Sequence, residues 1–175
     1  VANFAIHDAD PLSVAAQTST PSISKIEDLK GKKVAIVSGT TAEKFLMKIN
    51  SEKSLGIDFV SVKDYPQAFL LVGQGRADYT VSNKALLAGE ISKQEDKSKF
   101  KVIDYALDEP EMIGIMFTNK DKELAELISK TMADMKKDGR LEKLHTKWFS
   151  QPLPNGVNLN IKWTKELKDL VWAAK

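Results

Sequence analysis

A short turn rich in hydroxyl groups has the residue types that bind an anion. The turn consists of Ser38, Gly39, Thr40 and Thr41. Thr40 and Glu43 match the capping box of a helix start, in which the threonine hydroxyl accepts a hydrogen bond from the third helical N–H. Unpaired N–H groups and the positive end of the helix dipole favour a carboxylate or a phosphate at such a start. The turn therefore predicts an anion site, and an ordinary capped helix is the alternative.

Composition gives little support to other kinds of chemistry. The 175 residues carry 26 basic and 24 acidic side chains without a basic block, so nucleic-acid binding is not expected. The absence of cysteine excludes disulfides, thiolate metal sites and cysteine nucleophiles. The two histidines, His7 and His145, are far apart in sequence, which argues against a histidine metal site or a histidine-relay triad. We expect neither a cofactor nor a metal.

The turn follows one of several strands that alternate with helices. Strands are predicted at 12–16, 34–37, 57–62, 77–82, 101–105 and 112–118. Helices are predicted from Thr41 to about Asn50, from Asp64 to Gly73 or Gly75, and after Asn83. This alternation indicates an open, mainly parallel α/β sheet in residues 24–118. Residues 1–11 are expected to be irregular, because Asp8, Asp10 and Pro11 interrupt any strand or helix pattern.

The last third of the chain has a helical period instead. One helix is predicted from Asp121 to Gly139, with an apolar face, and two shorter helices follow, the last at about 165–174. Helices alone cannot complete a second layer, so this region is interpreted as the cover of a sheet that is mostly missing from the chain. No apolar run approaches a membrane span, and the chain opens at Val1 without a secretion signal. We expect either a mature chain or a piece of a longer one.

Several short motifs occur in an order that resembles a known family. They lie at 27–34, 38–41, 75–78 and 85–90, and the tail adds Lys147-Trp148-Phe149, two prolines and 156–160. Together they resemble the second half of a periplasmic amino-acid-binding protein of an ABC importer, which is a type II periplasmic binding protein of solute-binding family 3. Within that family, the chain is most similar to the glutamate/aspartate-binding branch.

The resemblance implies an α/β fold with one complete α/β lobe plus the C-terminal helices of the other lobe. It assigns 1–23 to the end of lobe 1 and the first hinge strand (Ser13 to Thr18), 24–111 to lobe 2, 112–118 to the second hinge strand, and 119–175 to the C-terminal helices of lobe 1. In such proteins two lobes close on the ligand by a hinge motion. By a typical two-domain length, roughly 100 residues of lobe 1 are expected to be absent.

The resemblance also implies a ligand-binding set made of Ser38, Gly39, Thr40, Thr41, Tyr65, Asn83 and Lys84. The family carries the ligand carboxylate on the turn that matches 38–41, and it grips the ligand ammonium with an aspartate at the position of Asn83. An asparagine offers a hydrogen bond but no countercharge. The alternative interpretation of Asn83 is an Asx cap that ends the strand. Lys84 stands where the closest branch has a second acidic residue, Tyr65 replaces a histidine of that branch, and residues 12–20 lack its hinge arginine.

The function implied is that of a non-enzymatic, periplasmic binding component for an acidic or polar amino acid, with a membrane permease as its partner. One alternative is a periplasmic dehydratase on the same scaffold, but it requires a carboxylate or histidine with a tuned pKa, and Asn83 and Lys84 occupy the best place for one. Another is a truncated or diverged fragment that binds no amino acid, or a dimer or swapped assembly that completes the missing lobe. A receptor ectodomain of this fold is a further possibility.

Overall fold

The computed structural model describes residues 2–118, 120–154 and 156–173, with only the backbone described for residues 2–4. The chain forms two compact units: unit 1 comprises residues 1–10 and 110–175, and unit 2 comprises residues 11–109. Residues 12–17 belong to the sheet of unit 2, and the expected lobe boundaries at 23/24 and 111/112 stay a prediction. The assignment of hinge strands remains a prediction. In the described part of the chain, no helix is both long and apolar enough to cross a bilayer.

The order of elements follows the predicted alternation. The strands are β1 (Ala2–Asp10), β2 (Leu12–Gln17), β3 (Lys33–Val37), β4 (Asp58–Val62), β5 (Tyr79–Asn83), β6 (Phe100–Ile103) and β7 (Glu111–Thr118). The helices are α1 (Thr41–Lys53), α2 (Tyr65–Gly73), α3 (Lys84–Ser92), α4 (Lys122–Lys137), α5 (Arg140–His145) and α6 (Lys165–Ala173). A π-helical segment at Thr146–Ser150 continues α5.

Unit 2 is built on a five-stranded sheet in the order β4-β3-β5-β2-β6. β3 is parallel to both β4 and β5, whereas β2 is antiparallel to both β5 and β6. Four of the five strands therefore run in one direction, and their carboxyl ends meet at one edge. The sheet contains more antiparallel pairing than expected, because β2 lies between β5 and β6 and is antiparallel to both. The predicted sixth strand, β7, belongs to unit 1.

Helices cover both faces of the unit 2 sheet. Alternation along β3 sends Val34 and Ile36 to one face, where they pack with Leu46 of α1. Ala35 points to the other face and packs with Val72 of α2. Because both faces are buried, β3 reads as a continuous apolar run. This packing holds the strand ends, and the turns that follow them, in fixed positions.

Unit 1 contains a two-stranded sheet and the C-terminal helices. β1 and β7 are antiparallel, with a register shift between Ile6 and Asp8. The expectation that residues 1–11 are irregular is wrong, because pairing with β7 supplies backbone hydrogen bonds that overcome the low strand propensity of the aspartates. Ala9 packs there in a small cluster with Leu141 and Val171.

Candidate functional site

The carboxyl edge of the unit 2 sheet collects the residues predicted to bind a ligand. The 38–41 turn follows β3, and Tyr65 begins α2 directly after β4. Asn83 ends β5, and Lys84 begins α3. Since β3, β4 and β5 are parallel neighbours, these residues follow strand ends at one edge of the sheet. In open α/β sheets this is the edge at which ligands bind.

The turn between β3 and α1 is held by three side-chain hydrogen bonds. The Thr40 hydroxyl caps α1 by accepting from the Glu43 N–H at 3.2 Å, and it donates to the Val37 carbonyl oxygen at 2.8 Å. The Glu43 carboxylate accepts from the Gly39 N–H at 2.7 Å, whereas a regular capping box would direct it to the N–H of Thr40 itself. Gly39 has φ +81°, which favours glycine. The Glu43 carboxylate therefore uses the Gly39 N–H, a backbone donor that could otherwise bind an anion.

The accessible groups of the turn lie beside the helix start. Ser38, Gly39 and Thr41 are exposed, and Thr40 is half-buried. The backbone N–H of Ser38 is used inside the sheet, where it donates to the Val62 carbonyl oxygen at 3.1 Å. What the turn offers to a ligand is therefore the first turn of α1, which begins at Thr41, and the exposed hydroxyl of Ser38, rather than the full set of its amides.

Tyr65 is linked to a residue that the sequence did not single out. The Ser82 hydroxyl donates to the Tyr65 phenolic oxygen at 2.8 Å. Ser82 lies on β5 and is 2% exposed, so it holds the half-buried tyrosine above the end of the sheet. The only signal in the sequence was its place just before Asn83 at the end of an apolar strand.

Asn83 and Lys84 lie where β5 ends and α3 begins. Asn83 stands at the position before α3, and its side chain makes no capping hydrogen bond to that helix. Whether it contacts the ligand or only ends the strand stays a prediction. The Lys84 ammonium pairs with the Asp104 carboxylate at 2.7 Å. Its hydrogen bond lowers the pKa of Asp104 below the usual range, and its charge acts in the same direction. Asp104 therefore reduces the positive potential that Lys84 offers to a ligand.

The groups at this edge suit the binding of a small polar molecule. They are hydroxyls, one amide, a helix start and an ion-paired ammonium, which provide directional hydrogen bonds rather than a strong charge of one sign. Within the residues that the structure describes, no cluster of three or more His, Cys, Asp or Glu side chains has a geometry that could hold a metal ion.

Comparison with known proteins identifies relatives over most of the chain. Residues 8–151 match the family described as bacterial extracellular solute-binding proteins, family 3. The L-glutamate/L-aspartate-binding protein of Pseudomonas aeruginosa is 34% identical over 153 residues, which are 87% of this chain and 50% of that protein. The glutamate/aspartate import solute-binding protein of Salmonella typhimurium is 35% identical over 149 residues, which are 85% of this chain and 49% of that protein. The chain thus spans about half the length of these relatives.

Solved structures agree with this match. An ancestral arginine-binding protein bound to arginine is 28% identical, with a TM-score of 0.71, and the match covers 85% of this chain and 65% of that one. The resemblance inferred from the sequence motifs is therefore confirmed, and so is the α/β fold of a periplasmic binding protein present in part. The chain belongs to family 3 of the bacterial extracellular solute-binding proteins.

Proposed function

We propose that this chain provides the ligand-binding surface of an ABC importer for an acidic or polar amino acid. The observation that carries the proposal is the family match over residues 8–151 together with a capped helix start at the carboxyl edge of the sheet. Relatives named for glutamate and aspartate binding support the acidic class of ligand. The proposed location is the periplasm and the proposed partner is a membrane permease, as the word import in the name of the Salmonella relative suggests.

In this proposal the ligand carboxylate lies at the start of α1. The exposed hydroxyl of Ser38 donates to it, Thr41 lies beside it as the first residue of α1, and the dipole of α1 favours its charge. Thr40 and Gly39 shape the turn rather than donate to the ligand, because their groups are engaged with Glu43 and Val37. The carboxylate of Glu43 lies close by and weakens the attraction for an anion.

The rest of the ligand contacts the ends of β4 and β5. The Tyr65 phenol, held in place by its hydrogen bond with Ser82, presents a polar group in a fixed position to the ligand. The Asn83 side-chain carbonyl accepts from the ligand ammonium without neutralising it, and Lys84 contributes a positive charge that Asp104 reduces. We infer a site of modest affinity, since one of its expected ionic contacts is replaced by a neutral hydrogen bond.

Binding is proposed to occur without catalysis. The relatives are named as binding proteins. The carboxylates near the edge also have structural partners: Glu43 bonds the Gly39 N–H, Asp64 caps α2 by accepting from the Gln67 N–H at 2.9 Å, and Asp104 pairs with Lys84. These contacts account for each carboxylate without a role as general base.

Calorimetric titration of the intact chain tests the proposal. Glutamate, aspartate, glutamine, asparagine, arginine and histidine are each titrated into the protein at concentrations that detect millimolar binding. We expect saturable heat for an acidic or polar amino acid and an affinity about 2- to 10-fold weaker for Ser38→Ala, as for the loss of one hydrogen bond. The matched control is Ser22→Ala, which removes an exposed serine in the connector before β3.

The possible outcomes test three parts of the proposal, namely amino-acid binding, the acidic or polar class of the ligand, and the position of the site. Heat with arginine or histidine alone would retain amino-acid binding but reject the acidic or polar class. Equal losses in Ser38→Ala and Ser22→Ala would reject the 38–41 turn as the ligand site. Absence of heat with every amino acid in the panel would reject binding by this chain.

A further inference from the structure

Asp104 lies at the same edge of the unit 2 sheet as the residues of the candidate site. It directly follows β6, which ends at Ile103. β5 and β6 are both antiparallel to β2, which lies between them, so β5 and β6 run in one direction. Their carboxyl ends are therefore two strand spacings apart, about 10 Å. The Lys84 side chain spans this gap, since its ammonium lies 2.7 Å from Oδ1 of Asp104.

A buried hydroxyl holds the backbone on both sides of Asp104. Ser13 on β2 is 1% exposed, and its hydroxyl lies within donor distance of two carbonyl oxygens, that of Ile103 at 2.9 Å and that of Tyr105 at 3.2 Å. The other member of the ion pair is held by the same strand, because the Lys84 N–H donates at 3.1 Å to the carbonyl oxygen of the residue that precedes β2. The start of β2 therefore positions the backbones of both charged residues.

Asp104 affects the charge of the site more than the stability of the fold. Its side chain is 94% exposed and that of Lys84 is 36% exposed, and exposed ion pairs contribute little to the free energy of unfolding. The hydrogen bond from Lys84 lowers the pKa of Asp104, so the carboxylate is ionised at neutral pH. It therefore offsets the charge of the Lys84 ammonium at the edge where the ligand is proposed to bind.

The other charged residues at this edge do not favour a second negative charge on a ligand. Lys63 and Asp64 follow β4, and Glu43 lies in the first turn of α1. With Lys84 and Asp104 included, carboxylates outnumber ammonium groups among these residues. An amino acid with a neutral side chain has no net charge, whereas glutamate or aspartate would add one more carboxylate. Repulsion at this edge therefore disfavours the acidic side chains.

The neutral groups of the candidate site match a ligand side chain without a charge. The Tyr65 phenol and the Asn83 amide provide hydrogen bonds that suit an amide or a hydroxyl. A cationic side chain is disfavoured because Lys84 already occupies the Asp104 carboxylate. We propose that Asp104 is a specificity-determining residue: by neutralising Lys84, it makes the site select an amino acid with a neutral polar side chain over one with a second carboxylate. This role rests on the proposed function, since it decides which members of the acidic or polar class are bound.

Calorimetric titration with glutamine and glutamate tests the role of Asp104. We expect the wild type to bind glutamine more tightly than glutamate. In Asp104→Asn the ratio of the two affinities should move toward glutamate by about 3- to 10-fold, because Lys84 regains its full charge, whereas Asp104→Glu should keep the wild-type preference. Sodium chloride at about 0.5 M should reduce the shift. In a Lys84→Gln background the shift should also be smaller, since Asp104 acts through Lys84.

The matched control is an aspartate in an ion pair at the other end of the sheet. Asp58 begins β4, its carboxylate lies 3.4 Å from the Lys33 ammonium, and its side chain is 62% exposed. Asp58→Asn should leave the ratio of glutamine and glutamate affinities unchanged. Far-UV circular dichroism verifies that each variant is folded, which is expected because the substituted side chains are exposed.

Each outcome supports or overturns the role of Asp104. A wild type that prefers glutamate, or an unchanged ratio in Asp104→Asn, overturns it and leaves amino-acid binding intact. A shift of equal size in Asp58→Asn or in the Lys84→Gln background also overturns it. Arginine binding that Asp104→Asn abolishes overturns it, because the carboxylate would then contact the ligand itself. Absence of heat with every amino acid rejects the proposed function, and the role of Asp104 with it.

Discussion

Asn83 is the residue at which the proposed binding surface can be changed most directly. It ends β5, directly before the first residue of α3, and its side chain makes no capping hydrogen bond to that helix. The neighbouring Lys84 is already held by Asp104 at 2.7 Å. A carboxylate introduced at position 83 would therefore retain much of its charge for a ligand ammonium.

We predict that Asn83→Asp tightens amino-acid binding. Replacing a neutral hydrogen bond by a charge-assisted one gains about 1–2 kcal/mol, which corresponds to about a 5- to 30-fold lower Kd. Isothermal titration with glutamate and glutamine measures the change. Gln151→Glu is the matched control, because it adds the same charge at an exposed position of unit 1. An unchanged or weaker affinity in Asn83→Asp would show that position 83 does not contact the ammonium.

His145 makes the stability of unit 1 depend on pH. Its ring lies 4.8 Å from that of Phe149 and 4.6 Å from that of Trp163, between centroids. Burial lowers the pKa of His145 below 6.5, and the charge of Asp8 opposes this shift only in part. Burial raises the pKa of Asp8 above 3.8. The two groups therefore affect stability with opposite signs as the pH changes.

We predict that unit 1 loses stability as the pH is lowered from 7 toward 5. Below 6.5 the unfolded chain binds the His145 proton more readily than the folded chain does, so the unfolding free energy falls as pH falls. Asp8 has the reverse sign: its protonation stabilises the folded state near pH 3.8, and this contribution is lost as the pH rises through its raised pKa. Urea unfolding followed by tryptophan fluorescence reports this unit, since Trp148, Trp163 and Trp172 all belong to it.

Two variants identify the responsible group. His145→Phe retains a ring in the aromatic cluster but cannot be protonated, so its unfolding free energy should vary less between pH 7 and pH 5. His7→Gln removes the other histidine of the chain and should keep the wild-type slope. The assignment to His145 fails if the slope survives in His145→Phe and disappears in His7→Gln.

Among the elements, the strand β7 requires a glycine at one position where it pairs with β1. Gly114 lies opposite Ile6. A Cβ at this position would lie 2.9 Å from Cδ1 of Ile6 and 3.0 Å from the carbonyl oxygen of Ala5. The isoleucine side chain can rotate away, but the backbone oxygen is held in the strand. The absence of a side chain at Gly114 therefore allows the two strands to approach.

We predict that Gly114→Ala destabilises unit 1 by about 1–3 kcal/mol, the usual cost of overpacking. Urea unfolding monitored by tryptophan fluorescence measures it. The matched control is Gly89→Ala in α3, where an added Cβ meets nothing within 4 Å. That change should stabilise unit 2 by about 0.5–1 kcal/mol, because alanine favours a helix over glycine. A neutral Gly114→Ala would mean that β1 and β7 can separate without loss.

Local sequence patterns were sufficient to predict the strands and helices of unit 2 and the turn of the candidate site. The Thr40 cap and the Asp64 cap involve residues three positions apart, so the sequence displays them. The strand β1 was missed because it is stabilised by β7, about 100 residues later. Tyr65 with Ser82 and Lys84 with Asp104 could not be predicted as pairs, because their contacts depend on the strand order and on the position of β2 between β5 and β6.

At the scale of the whole molecule, the two units have separate cores. The large cluster around Leu46 lies entirely in unit 2, and the smaller cluster around Leu141 lies entirely in unit 1. The unit 2 core is covered by helices on both faces of a five-stranded sheet, while unit 1 has a two-stranded sheet and exposed apolar side chains. Cooperative unfolding requires shared packing, so these cores should not unfold as one.

We predict two unfolding transitions, with unit 1 unfolding first. Differential scanning calorimetry is combined with tryptophan fluorescence, which reports unit 1, and with hydrogen exchange of β3 amides, which reports unit 2. Leu46→Ala should lower the stability of unit 2 by about 2–5 kcal/mol, as for a truncation in a packed core, and leave the fluorescence midpoint unchanged. Leu141→Ala is the matched truncation in unit 1 and should do the reverse. A single transition that both substitutions shift equally would contradict this prediction, because the two cores would then unfold together.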